Sequence, residues 1–112
     1  VNGEFSPVLK ELFETLGREK ALGVSRIFFD ELEQFIEQCN QSTFSQDNHA
    51  LVEAAHKIKG AAAMLGLNLL EKSFSQLEID AQEDNIRDLN NFIQSLKDVA
   101  KHSEAMFVNY VP

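Results

Sequence analysis

Leu51, Ala55, Ile58, Ala62 and Leu65 are spaced four, three, four and three residues apart. That period lays one apolar stripe along one side of an α-helix and does not suit a strand, whose faces alternate every second residue. The same spacing runs through the rest of the chain. Leu9, Leu12, Phe13 and Leu16 make a short stripe, and Val24, Phe28, Leu32, Phe35 and Cys39 a longer one. Leu70, Phe74, Leu77 and Ala81 make another, then Ile86, Leu89, Ile93, Leu96 and Ala100, widened by Phe92, Val99 and Met106. Stop and start signals fall between the stripes. Ser6-Pro7 reads as cap and first helical residue, and Gly17 as a helix end. The polar run from Gln41 to Asn48 offers Ser45 or Asp47 as a cap. Gly66 closes the third stripe, Asn68 with Glu71 reads as a capping box, and Gln82 to Asn85 breaks the fourth. The expected helices are roughly 6–16, 19–41, 47–65, 68–83 and 85–109, with the last residues fraying. Residues 1–112 are therefore predicted to form a single all-α domain, an antiparallel four-helix bundle with a short extra N-terminal helix as a lid.

Composition narrows the function. A chain of 112 residues can bury one core without staples, and 44% hydrophobic residues with two prolines suit helices. Ten Lys and Arg against 18 Asp and Glu give a net charge of −8, which is no footprint for nucleic acid. No helix has the basic face of a membrane-surface segment, no run is apolar enough to span a bilayer, and no signal-peptide pattern is present. The single Cys39 cannot make an internal disulfide, which fits a reducing compartment, and its place in a stripe makes it a core residue. The chain does not begin with Met, so it reads as part of a longer protein.

His56 stands apart from this pattern. At about 100° per residue it projects well away from the middle of the 51–65 stripe, so it belongs on the outer surface. Lys59 follows at i+3 on nearly the same side, Gly60 at i+4 places no side chain beside the ring, and Ala63 at i+7 is small. A glycine inside a helix costs about 1 kcal/mol relative to alanine, so its presence asks for a reason, and close approach of another body is one. An imidazole is a nucleophile at neutral pH. Phosphoryl transfer depends mostly on positioning and charge stabilisation, so an acceptor needs access and a nearby cation more than a deep pocket. The bland alternative is a solvated histidine and a glycine at a helix contact.

The run His56-Lys57-Ile58-Lys59-Gly60, followed by Ala61-Ala62-Ala63-Met64-Leu65-Gly66, resembles the signature of histidine phosphotransfer domains. The resemblance covers most of the chain. It implies a helical bundle carrying a phosphoryl group to and from aspartates of response-regulator receiver domains. It makes His56 the phosphorylated residue, Lys59 the charge-compensating neighbour and Gly60 the clearance residue. It also implies that the domain needs no cofactor of its own, the partner receiver supplying Mg²⁺. The Lys-Ile-Lys-Gly-Ala-Ala run is similar to the modules at the C-terminus of bacterial hybrid sensor kinases, implying a cytoplasmic place in an inner-membrane sensor. Some members carry Gln 22 residues after the histidine. Here that residue is Glu78, and a carboxylate repels a phosphoryl group, so it is not expected to play the same part.

Partners of such domains dock on the histidine helix and a neighbouring helix. Val52 and Ala63 are the docking candidates on the first, and Phe29 and Ile36 on the second, either as an exposed apolar patch or as core flank. His49 lies seven residues before His56 and reads as surface or rim, and His102 as solvated surface. Other chemistries find little support. There is no glycine-rich phosphate loop, no Cys/His cluster for zinc and no hydrolase nucleophile set. Glu53-x-x-His56 is half of a di-metal carboxylate pattern and occurs once. The remaining alternative is a helical interaction module that binds through the small-residue face without covalent chemistry.

Overall fold

The computed structural model describes residues 7–40, 48–83 and 89–111. Five helices follow in order: α1 (Pro7–Leu16), α2 (Arg18–Asn40), α3 (Asn48–Met64), α4 (Asn68–Gln82) and α5 (Leu89–Val108). Helices α2 to α5 form a bundle on which α1 packs against α2, and the whole is elongated, 42 × 22 × 21 Å. The most extensive pairing is the hairpin of α3 with α4; α5 then packs on both α4 and α2, and α2 closes the ring against α3. The expected caps Ser6, Ser45 and Asp47, the helix start at Asn85 and the inward Ile86 lie outside the described residues.

Two glycines make the turns. Gly17 has φ +80° and its N–H donates to the Phe13 carbonyl at 2.9 Å, ending α1 in the left-handed conformation that glycine adopts without strain. Gly66 has φ +72°. Its N–H donates to the Ala63 carbonyl at 3.1 Å and that of Leu67 to the Ala62 carbonyl at 2.9 Å, a Schellman closure of α3. The capping-box expectation is corrected here. Leu67, not Asn68, occupies the cap of α4, makes no side-chain cap bond, and Asn68 is already helical.

The core joins all five helices. Phe74 of α4 meets Phe35 of α2 at 5.3 Å and Phe92 of α5 at 6.1 Å, both edge-on, the favoured arrangement of aromatic quadrupoles. Phe13 of α1 meets Phe107 of α5 at 5.0 Å. Cys39 is buried as expected, and burial pushes its thiol up to about 11, so it is a protonated core residue at neutral pH. The α2 stripe differs from the expected one by a residue: Val24 is 40% exposed, and Ala21 and Ser25 face inward instead. Ser25 tolerates burial because its hydroxyl donates to the Leu22 carbonyl at 2.8 Å.

The chain end does not stand free as expected. Tyr110 packs on Phe13 with ring centroids 4.9 Å apart. Arg18 donates to the carbonyls of Val108 and Tyr110, placing a cation at the carbonyl end of α5 where the helix dipole favours it. The α5 stripe continues through Ser103 and Phe107, both fully buried. The Ser103 hydroxyl finds no hydrogen-bond partner among the described residues. An unpaired buried hydroxyl costs about 1–3 kcal/mol. Ser103→Ala is accordingly expected to stabilise the domain by about 1 kcal/mol, read as a higher urea midpoint at unchanged slope; a lower midpoint would mean that the hydroxyl has a partner in solution.

Candidate phosphoryl-acceptor site

His56 sits mid-way along α3 with 68% of its side chain exposed. Val52, His56, Lys59 and Ala63 recur at four, three and four residues, so they share one edge of α3. That edge borders α4, because both His56 and Lys59 reach Glu78 there. Gly66 makes the turn, ten residues after His56 and twelve before Glu78, so the antiparallel hairpin brings the two to one level. Val52 and Ala63 are half-buried along this edge.

Glu78 is the residue the sequence reading set aside. Its Oε2 lies 2.9 Å from His56 Nδ1, and its Oε1 accepts from Lys59 Nζ at 2.6 Å. The Glu78 side chain is only 13% exposed and Lys59 28%, so the bridge is sheltered while the imidazole is not. The Lys59 ammonium first, and the His56 bond after it, hold the Glu78 carboxyl below the usual carboxylate range against the opposing effect of burial. Glu78 is therefore ionised at neutral pH and can only accept. The His56 Nδ1–H therefore donates to this carboxylate. Lowering the pH through the depressed range protonates Glu78 and weakens both bonds; the bridge is intact above it. The expectation of charge repulsion considered a bound phosphoryl group alone and left out the two donors that compete for this carboxylate.

Gly60 is exposed, and a Cβ built on it would meet nothing within 4 Å. Among the described residues no packing contact requires a glycine there. His49 is exposed, as expected, and pairs with Glu53 at 2.7 Å. Glu53 thus turns toward the preceding turn of α3, and among the described residues no group of three His, Cys, Asp or Glu is placed to hold a metal. His102 is exposed on α5.

The docking expectation on α2 needs correction. Phe29 is 7% exposed and lies edge-on to Phe28 at 5.0 Å, so it is core and not surface patch. Phe29 and half-buried Ile36 line a groove that α2 shares with Lys97 and Lys101 of α5, on the flank of α2 turned away from α3. Val24 and Ile27 fall on the other side of the buried stripe, 40% and 64% exposed. Met64, at the end of α3 and one turn past Gly60, is 75% exposed. Sequence reasoning missed these three, although the i, i+3 pairing of Val24 with Ile27 was a signal.

No described helix is long and apolar enough to cross a membrane. The chain is 27% identical over 99 residues to the aerobic respiration control sensor protein ArcB of Escherichia coli (strain K12), and equally to those of Shigella flexneri and E. coli O157:H7. Those matches cover 86% of this chain and 12% of each relative, so the chain spans about an eighth of the proteins it matches. No solved structure matches it. The Hpt domain family matches residues 23–102, the whole of α3 and α4 included. With a surface imidazole on the histidine helix of a helical bundle, the chain belongs to the Hpt domain family, the histidine phosphotransfer carriers of phosphorelays.

Proposed function

We propose that this domain carries a phosphoryl group on Nε2 of His56, accepting it from and returning it to aspartates of response-regulator receiver domains. One observation supports the reading above the others: an imidazole open to solvent whose Nδ1 is engaged by an ionised carboxylate, leaving Nε2 as the free nucleophilic atom. The Nε2 lone pair forms the N–P bond as the acyl-phosphate P–O bond breaks, and the receiver aspartate leaves with the electron pair. Lys59 compensates phosphoryl charge. The receiver brings Mg²⁺ and its own carboxylates, so the domain is a carrier and not a self-sufficient enzyme.

The receiver lies over Gly60, flanked by Val52 and Ala63 toward α4 and by Met64, Val24 and Ile27 toward α2. Exposed apolar side chains beside a bare helical turn suit a partner that must come within bonding distance of the ring. The similarity to a sensor protein supports a place within a hybrid sensor kinase, on the cytoplasmic side of the membrane.

The test is to mix the domain with a phosphorylated receiver and Mg²⁺ and follow the phosphoryl group. Gly60→Leu separates docking from folding. Leucine gains about 0.8–1 kcal/mol of helix propensity over glycine, so thermal stability is expected to rise. Transfer from the receiver is expected to fall by at least about tenfold, which is about 1.4 kcal/mol of docking energy. Normal transfer by Gly60→Leu would remove the clearance role. The non-covalent alternative predicts no label on the domain under any of these conditions.

A further inference from the structure

We propose that the groove between α2 and α5 is a second interface, independent of the acceptor edge, and that it receives a basic amphipathic helix of a partner protein. The groove has a volume of about 950 Å³ and lies on the flank of α2 turned away from α3. A body seated there leaves His56 and Gly60 open, so this surface goes beyond the transfer reaction. Phe29, Leu32, Ile36 and Ala100 form its apolar floor. Ile36 and Ala100 are half-buried, so part of that floor meets solvent.

The rim carries charge of mostly one sign. Asp30, Glu33 and Glu37 recur at three and four residues along one edge of α2. Asp98 and Glu104 stand on α5 with Lys97 and Lys101. Five carboxylates thus face two ammonium groups, in a chain whose net charge is already −8. Asp30, Glu33, Asp98 and Glu104 are exposed, and among the described residues none of them forms an ion pair. Lys97 and Lys101 form none there either. The rim is left with carboxylates that a cationic partner can pair. Charged rims alone are ordinary helix surface; the apolar floor between them is what a partner covers.

Length and chemistry select the occupant. The α2 wall runs from Phe29 to Asn40 and the α5 wall from Gln94 to Glu104. At about 1.5 Å per residue those walls are about 15–17 Å long, the span of a partner helix of about eleven residues. Such a helix lays an apolar stripe at i, i+3, i+4 and i+7 on the floor. Lysines or arginines along both of its sides then meet carboxylates from each wall. An acidic helix or a nucleic acid would face the five carboxylates instead, and a second copy of this chain would bring its own charge of −8. A partner held in the groove stays on the domain while receivers come and go on α3.

The experiment titrates the ¹⁵N-labelled domain with a synthetic peptide of about fourteen residues, leucines at the stripe positions and lysines between them. Two controls have the same length. One carries glutamates in place of the lysines, and the other is the basic peptide scrambled so that no stripe forms. Amide shifts are expected at Phe29, Ile36 and Ala100, and not at His56 or Gly60. Affinity for the basic peptide should weaken as salt rises. It should fall at least about tenfold in the double variant Glu33→Lys with Asp98→Lys, the effect of reversing one charge on each wall. Both positions are exposed, so the fold is expected to hold, which circular dichroism checks. Loading of His56 by phosphoramidate, a small donor that needs no receiver, should run at the same rate with the groove filled. Equal binding of the scrambled or acidic peptide would overturn the proposal. So would shifts centred on α3, slower loading with the groove filled, or no groove shifts at millimolar peptide. Concentration-dependent shifts of the same residues in the domain alone would make the occupant a second copy and overturn it as well. Peptide binding is read without phosphoryl transfer, so it stands or falls separately from the role of His56.

Discussion

His56→Gln is expected to abolish phosphoryl acceptance while leaving the fold intact. Glutamine offers no ring nitrogen, so no N–P bond can form, and the loss should reach background rather than a fractional rate. Stability should change by less than about 0.5 kcal/mol, as for surface positions in general, because the side chain is 68% exposed. The Lys59–Glu78 bond at 2.6 Å does not involve the imidazole and should survive. Transfer assays beside a urea melt check both halves. Residual label at the native level would place the acceptor elsewhere, whereas an unfolded variant would mean that His56 holds the hairpin together.

Phe74→Ala is the substitution expected to damage the fold most. The ring is fully buried and touches Phe35 and Phe92, so three helices lose a shared contact at once. Truncating a buried phenylalanine costs about 3–5 kcal/mol, the lost burial plus the cavity left behind. Against a typical stability of about 5–15 kcal/mol that is a large share. Glu78 lies one turn further along α4, so the same change should loosen the bridge to His56 and Lys59 and slow transfer even where the domain remains folded. Denaturant titration gives the first effect and phosphoramidate loading at low temperature the second. A loss below about 1 kcal/mol would mean that the core collapses around the gap.

The five helices and their inward faces were legible because a stripe is local. Each needs only its own spacing, and Leu51, Ala55, Ile58 and Ala62 are buried as that spacing requires. The exposed side of α3 that carries His56 was legible for the same reason, since what does not face the core faces out. What the period does not carry is which neighbour lies on which flank. Phe29 with Ile36 and Val24 with Ile27 border the same stripe on opposite sides, and only the ring order of the bundle decides that α5 takes the first pair. Ser25 replaced Val24 inside because a serine can satisfy its hydroxyl on its own helix. Glu78 was found in sequence, but its bonds to His56 and Lys59 come from two donors on the other arm of the hairpin, which no local pattern shows. The ordered chain end depends on Arg18, which is separated from Val108 by 90 residues and is invisible to any local pattern.

The most direct measurement is the chemical identity of the label that a phosphorylated receiver leaves on the domain. A phosphoryl group on imidazole nitrogen is lost in acid and survives alkali, whereas serine and threonine esters survive acid and an aspartyl phosphate is lost in alkali. The account predicts an acid-labile, alkali-stable label that maps to His56 and is missing in His56→Gln. An acid-stable label, or one that persists when His56 is replaced, would contradict it.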